Sequence, residues 1–490
     1  MVVDGTGKIL GSATEEHAAF ASPHPGWAEQ DPRDWWRAAA LAIRGALKDA
    51  KVTGDAIACV GFSGQMHGAV VLDESGTVIR PALIWCDQRT QEQSAALLRQ
   101  FGLDRLIQWT CNPPLTNFTL TKLLWIRQHE PKLWEQVRMI MLPKDYVRYR
   151  LTGESAIDMA DASGTLLLDV AKRAWSREIL QGVGIAEEFL PKLYESQAVC
   201  GKLSTEGSEA TGLRAGTPVV AGAGDQAAGA VGIGITKPGI ASATIGTSGV
   251  VFAATDRPTL DPKGRLHTFC HAIPNRWHVM GVTQAAGLSL KWFREQFGTA
   301  GSGDGSAYDQ LSQEAATVPS GSEGVFWAPY LMGERTPHLD PDARAAFIGL
   351  SASHTRAHMV RAILEGVAYS LKDTFTIFDE IGVPVRQIRL GGGGARGALW
   401  RQIQADVYGQ PVEILAAEEG AAYGAAILAG VGSGVWKSVD EACDAIVRVV
   451  AKIAPVAADQ ATMQKAYEVY RRIYPALHAI QSGAGSAARN

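Results

Sequence analysis

An α/β architecture built in two similar halves is what this 490-residue sequence predicts, and three observations carry it. Apolar strand-like runs alternate with helical patterns from residue 57 onward, the signature of sheets covered by helices. A strand–turn–strand pattern opens the chain and returns near its middle. Glycine-rich stretches stand where strands run into helices, at residues 222–227 and 391–397.

The opening Val2-Val3-Asp4-Gly5-Thr6-Gly7-Lys8-Ile9-Leu10 reads as a hairpin with an unusually short first arm. A helix follows at about 34–49, introduced by Asp31-Pro32, with Trp35, Ala39, Ile43 and Leu47 on one face. Strands are expected at 57–62 and 70–72, and helices dominate 92–175. The strand at 218–221 enters the first glycine-rich stretch, which reads as a hinge. The second half restarts with a strand at 240–245, the turn Gly246-Thr247-Ser248-Gly249, and strands at 250–253 and 278–282. A strand at 387–390, the glycine loop, a helix at 398–408, a strand at 411–416 and a helix at 418–429 then form βαβ units. The Gly/Ala/Ser-rich tail after Gln481 is expected to fray.

Composition removes whole classes of function. Apolar residues make up 46% and charged residues 20%, so sizeable cores can form and disorder is not expected. Lys plus Arg (46) against Asp plus Glu (50) leaves a net charge of −4 with interspersed signs, which recruits neither nucleic acid nor an anionic membrane. Cys59, Cys86, Cys111, Cys200, Cys270 and Cys443 show no CxxC spacing and are expected as free thiols. With no signal-like start and no long apolar span, a soluble cytoplasmic protein is expected.

Several constellations could carry chemistry. Gly246-Thr247-Ser248-Gly249 offers backbone N–H groups and two hydroxyls to a phosphate, or is a plain hairpin turn. Gly391–Gly397 lets a nucleotide approach backbone at a helix N-terminus. It also satisfies GxGxxG, with Glu413 or Glu418 about 20 residues on, so a dinucleotide-dependent oxidoreductase competes. Asp225, where a strand meets a helix, is either a helix cap or a general base at a domain junction.

Gln65-Met66-His67 follows the strand at 57–62, and strand ends are where open α/β sheets bind ligands; core packing is the plainer reading. Trp125, on an apolar helix, is core or a sugar-stacking platform. His267-Thr268-Phe269-Cys270-His271 would split its ligands between strand faces, which disfavours zinc. HExxH, GxSxG and GxxxxGK[ST] are all absent.

Across nearly its whole length the chain resembles the FGGY family of carbohydrate kinases, and within it those acting on D-xylulose. The resemblance rests on Gly64-Gln65-Met66-His67-Gly68, Trp85-Cys86-Asp87-Gln88-Arg89, Leu142-Pro143-Lys144-Asp145-Tyr146, Gly224-Asp225-Gln226-Ala227, Ile245-Gly246-Thr247-Ser248-Gly249, Gly333-Glu334-Arg335-Thr336-Pro337 and Gly392-Gly393-Gly394-Ala395-Arg396, in order. It implies an actin-like ATPase (ribonuclease H-like) fold, with two domains around a catalytic cleft. Residues 1–235 would be the sugar-binding domain, 236–455 the nucleotide-binding domain, and 456–490 a C-terminal helix and frayed tail.

Asp225 would be the general base in ATP-dependent phosphorylation of D-xylulose to D-xylulose 5-phosphate. Gln65, Met66, His67, Trp125, Asp225 and Gln226 would bind the sugar. Gly246, Thr247 and Ser248 would face the β- and γ-phosphates, and Gly392, Gly393, Gly394 and Ala395 the rest of ATP. Mg²⁺ would accompany ATP, and a homodimer is compatible with the pattern.

The family's first GxDxGT phosphate turn, whose aspartate helps hold Mg²⁺, has no counterpart here, so no metal ligand is assigned. The expectation is that Met1 is an internal methionine of a longer, active kinase. The alternatives are a kinase for L-ribulose, L-fuculose or glycerol, and a sugar or nucleotide sensor that transfers no phosphate.

Overall fold

The opening residues form a ribbon in which β1 (Val2–Val3) and β2 (Ile9–Gly11) run antiparallel. The Asp4 carboxylate fixes its turn by accepting from the N–H groups of Thr6 (2.8 Å) and Lys8 (3.1 Å). The computed structural model describes residues 1–298, 304–416 and 420–487. Helix α1 (Pro32–Ala50) starts where the sequence places it: Asp31 accepts from the Arg33 N–H, and proline occupies the first turn. Its inner face buries Trp35, Ala38, Ala46 and Leu47.

The run at 57–62 departs from expectation. Only Val60 makes a ladder contact, to Val219, and the run leads into the two-residue β3 (Ser63–Gly64). Val60 N–H donates to Pro218 O and Val220 N–H to Val60 O, both at 3.0 Å. Among the described residues the other flank pairs with no strand, so the run lacks the second ladder that makes an apolar segment a central strand. β4 (Val70–Leu72) lies where expected, fully buried and antiparallel to β5 (Met139–Met141). Helices α2 (Thr119–His129), α3 (Pro143–Thr152) and α4 (Met159–Ser163) belong to the helical stretch. β6 (Pro218–Val220) is followed by β7 (Ala223–Gly224), which pairs parallel with β3 and runs directly into α5 (Asp225–Gly232).

The second half contains β8 (Gly239–Ile245), β9 (Gly249–Thr255), β10 (His267–Cys270) and β11 (Trp277–Thr283). After α6 (Gly287–Phe297) and the buried α7 (Arg356–Glu380) come β12 (Val385–Gly392), α8 (Ala398–Tyr408) and β13 (Val412–Leu415). Helix α9 (Gly420–Gly432) begins after the segment containing Glu418, which lies outside the described residues, and β14 (Val449–Ile453) follows. All seven strands form one sheet in the order β10-β11-β9-β8-β12-β13-β14, with β8, β12 and β13 parallel. The halves are unlike in sheet construction among the described residues, because the first half's strands form two-stranded ladders linked by isolated bridges. The described residues close with α10 (Ala457–Tyr470) and α11 (Ile473–Ala487), so 482–487 are helical, and the end of the tail expected to fray, 488–490, lies outside the described residues.

Apolar packing and a close helix crossing are among the contacts that join the halves. Met66, Phe118 and Trp125 share one apolar cluster with Phe252, Phe269 and Met280. Helices α5 and α9 cross at contact distance: a Cβ at Gly424 would lie 1.8 Å from Ala228 O, and one at Gly232 2.1 Å from Gly420 O. Only glycine permits that approach. All six cysteines are unpaired, and no helix among the described residues is long and apolar enough to cross a membrane.

Candidate active site

The parallel pairing of β3 with β7 sets Ser63 opposite Ala223 and Gly64 opposite Gly224, so Gln65-Met66-His67 and Asp225-Gln226 leave the two strands side by side. Asp225 is not a helix cap, for the cap of α5 is Gly224 and Asp225 is the first helical residue. Its carboxylate is free for other work and accepts from Gln226 Nε2 at 2.9 Å. Burial raises its pKa above the ordinary 3.8, against the stabilising hydrogen bond from Gln226.

From Asp225 and Gln226 a cavity of about 320 Å³ runs past Gly229 of α5 and Ser242 and Thr244 of β8 to Gly391, Gly392 and Ala395, and to Gly420 and Ala421 at the start of α9. The two glycine turns are neighbours because β8 pairs parallel with β12, with Ile245 opposite Gly392. Gly246, Thr247 and Ser248 adjoin the cavity's glycine loop without lining it. The carbonyls of Gly246 and Thr247 accept from Gly287, Ala286 and Leu288 at the head of α6, which fixes the turn. Among the described residues the Thr247 and Ser248 hydroxyls have no hydrogen-bond partner within the protein.

Gly393 and Ala395 form a short 3₁₀ turn with Gly394 between them. Gly392 has φ +69°, and a Cβ there would lie 2.5 Å from Ile245 O. Gly392→Ala should therefore distort the loop at a cost of about 1–3 kcal/mol in stability. Denaturant titration of the variant against the parent checks this.

On the other side of Asp225, Met66 is buried between two backbones: a Cβ at Gly164 would meet its Cε at 3.1 Å, and one at Gly224 its Cγ at 2.7 Å. The thioether thus touches the residue preceding Asp225. Gln65 Nε2 donates to Gln30 Oε1 at 3.3 Å, leaving its own Oε1 without a partner. His67 is buried, with Nδ1 2.7 Å from Gly164 O and its ring edge-on to Phe118. A carbonyl oxygen only accepts, so Nδ1 carries the hydrogen and Nε2 keeps its lone pair. Burial pushes the His67 pKa down to about 3. In ¹⁵N-histidine NMR spectra His67 should hold this neutral tautomer from pH 8 to 5, whereas a signal titrating near the ordinary 6.5 would contradict the assignment.

Trp125 is packed by protein partners: edge-on to Trp27 (5.3 Å), stacked on His129 (4.8 Å), and with the Arg89 guanidinium 4.8 Å from its ring centroid. Its indole shares one apolar cluster with Met66.

Other sequence candidates are engaged elsewhere. His267 meets Asn112 Oδ1 at 3.1 Å and His271 meets Ile235 O at 2.9 Å, so the two rings do not converge on a metal. Glu413 is buried between Arg389 (3.3 Å) and Lys452 (2.8 Å), unavailable to a ribose.

Beneath β3 and β7 lies a cluster that motif spacing did not reveal. The fully buried Lys144 ammonium reaches Asp145 (2.5 Å), Asp158 (2.8 Å) and Asp161 (3.3 Å), and Arg148 reaches Asp145 (3.0 Å) and Ala221 O (2.7 Å). Desolvation raises the pKa of Asp158, and that of Asp161 well above the usual range. These three aspartates are the one metal-like grouping among the described residues, but Lys144 already supplies their cation. The cluster instead backs the two strands: a Cβ at Gly64 would meet Lys144 Cβ at 2.9 Å, and one at Gly224 would meet Asp161 Oδ1 at 2.6 Å.

The Gln65-Met66-His67 segment, a buried carboxyl and a cavity ending in a glycine loop thus follow one another at the junction of the halves. The N-terminal domain profile of FGGY carbohydrate kinases matches residues 1–232, and the C-terminal domain profile matches 241–433. The chain belongs to the FGGY family of carbohydrate kinases.

Among its FGGY relatives, the xylulose kinase of Escherichia coli (strain K12) is 41% identical over 84% of this chain and 83% of its own. That of Bacillus subtilis (strain 168) is 36% identical over 97% of this chain and 94% of its own. Among solved structures, xylulose kinase from Rhodospirillum rubrum matches with a TM-score of 0.88 at 32% identity, covering 95% of this chain and 93% of that one. Ligand-bound xylulose kinase from Lactobacillus acidophilus matches with a TM-score of 0.92 at 25% identity, covering 98% and 96%. The two-domain actin-like fold expected for an FGGY kinase is thereby established. Gly420 and Ala421, which line the cavity, went unseen in the sequence: the helix at 418–429 was expected, but no local signal tells which residues of its first turn face a cavity made by distant strands.

Proposed function

We propose that this FGGY kinase transfers the γ-phosphoryl group of ATP to the terminal hydroxyl of D-xylulose, giving D-xylulose 5-phosphate and ADP. One observation carries the reading: Asp225 stands where the Met66 side of the junction meets the cavity that ends in the Gly391–Gly392 loop. The division of labour follows, with residues 1–235 holding the sugar and 236–455 the nucleotide. The xylulose kinases among its relatives support the choice of sugar.

The Asp225 carboxylate takes the hydroxyl proton as the sugar oxygen attacks the γ-phosphorus and the bond to the β–γ bridging oxygen breaks. Burial suits it to this, because a carboxyl with a raised pKa is a stronger base than a solvated one. The sugar is positioned by the Gln65 amide, the Met66 thioether, the His67 Nε2 lone pair and the Gln226 amide, with Trp125 backing them. The turn Gly246-Thr247-Ser248 offers hydroxyls to the β- and γ-phosphates. Gly392, Gly393, Gly394 and Ala395 let the rest of ATP lie against backbone.

Mg²⁺ is compatible with this cavity, since it binds through one or two carboxylates together with nucleotide phosphates and water. Asp225 is the carboxylate lining the cavity among the described residues. When bound, Mg²⁺ would neutralise phosphate charge.

The test is Mg-ATP-dependent ADP release with D-xylulose, L-ribulose, L-fuculose, glycerol and no sugar in parallel. Release selective for D-xylulose is expected. Preference for another acceptor would overturn the sugar assignment, and no release with any acceptor would overturn the reading.

A further inference from the structure

We infer that Lys122 is a positioning residue for the sugar pocket, holding the backbone of His67 in the one conformation that presents its imidazole. The inference rests on the reading of His67 as a sugar contact.

His67 has φ +67°, a left-handed conformation that is strained for a residue with a side chain. Such a conformation persists only where the surroundings enforce it. Two groups do so: Gly164 O holds the ring through Nδ1, and Lys122 Nζ, on α2, donates to the His67 carbonyl at 2.9 Å. The same ammonium donates to Asn117 O, tying His67 to the loop that starts α2.

Lys122 is an expensive choice for that task. Its side chain is fully buried, and among the described residues no carboxylate lies within ion-pair distance of its ammonium. An ammonium buried without an ion pair is disfavoured, and an apolar residue of similar volume would ordinarily pack there at less cost. The charges bearing on it are those of Asp87 and Arg89, and burial outweighs them, pushing its pKa down to about 7. Asp87 is itself bound by Arg89 (2.7 Å), so it does not neutralise the lysine. What the ammonium does make is two hydrogen bonds to carbonyls, one of them on the strained residue.

The test is Lys122→Met, which keeps the length of the stem and removes both bonds. The expected result is a rise of about tenfold or more in the KM for D-xylulose, with kcat within about threefold and the KM for ATP unchanged. The thermal midpoint should hold or rise, because a buried charge has been replaced by an apolar group. A D-xylulose KM within about twofold of the parent, or a loss of thermal stability and kcat with KM unchanged, would overturn the inference. Should Lys122→Met not fold, Lys122→Gln, too short to serve both carbonyls, is read by the same criteria. His67→Ala separates the two layers. If it leaves the D-xylulose KM unchanged, the sugar-pocket reading fails and takes this inference with it; if it raises KM while Lys122→Met does not, this inference alone fails.

Discussion

Asp225→Asn should lower kcat by about 10²–10⁴ while leaving the Kd for D-xylulose within a few-fold of the parent. Asparagine keeps the volume of the side chain and an oxygen for the Gln226 amide, which now lies 2.9 Å from the carboxylate. What it cannot do is take the hydroxyl proton. Turnover assays and calorimetric titration of the sugar measure the two halves of the statement, and near-normal turnover would remove Asp225 from the role of base. The wild-type pH profile carries a related signature. Because burial raises the Asp225 pKa, kcat/KM should fall as pH drops through a value above the ordinary 3.8. The asparagine variant should lack that limb.

Lys144→Met should destabilise the fold by about 3–5 kcal/mol, the range for breaking a buried ion pair by removing one partner. The substitution leaves Asp145, Asp158 and Asp161 fully buried around an apolar thioether, with only Arg148 to answer Asp145. Denaturant titration monitored by tryptophan fluorescence checks the magnitude. Asp161→Asn should be far milder, because burial already favours the protonated carboxyl there. The sign for pH follows. A carboxyl whose folded pKa is raised contributes stability below its ordinary value and loses it as pH rises through the raised one, so the asparagine variant should gain on the parent as pH increases.

The parts of this molecule that were legible in the sequence are those with local signals. The hairpin around Gly246–Gly249 and helix α8 at Ala398–Tyr408 show themselves through apolar alternation, turn glycines and helical spacing, and they lie where those signals put them. The identity of Asp225 was ambiguous in sequence, since a strand-to-helix aspartate is so often a cap; only the geometry of Gly224 frees it.

Features made by distant residues were not legible. The run at 57–62 has the composition of a buried strand, but strand character depends on partners on both flanks, and here one flank alone is paired. Lys144 and Lys122 look like surface charges in a list of residues. One becomes the cation of a buried triad through Asp158 and Asp161, and the other a brace through the carbonyl of His67, 55 positions earlier. The aromatic surroundings of Trp125 likewise come from Trp27 and Arg89, far from it in the chain.

The most direct measurement is ³¹P NMR of a reaction containing this chain, Mg-ATP and D-xylulose. The γ-phosphate signal should give way to a sugar phosphomonoester in a one-to-one ratio with ADP. Inorganic phosphate in its place, or an unchanged ATP spectrum, would contradict phosphoryl transfer to the sugar.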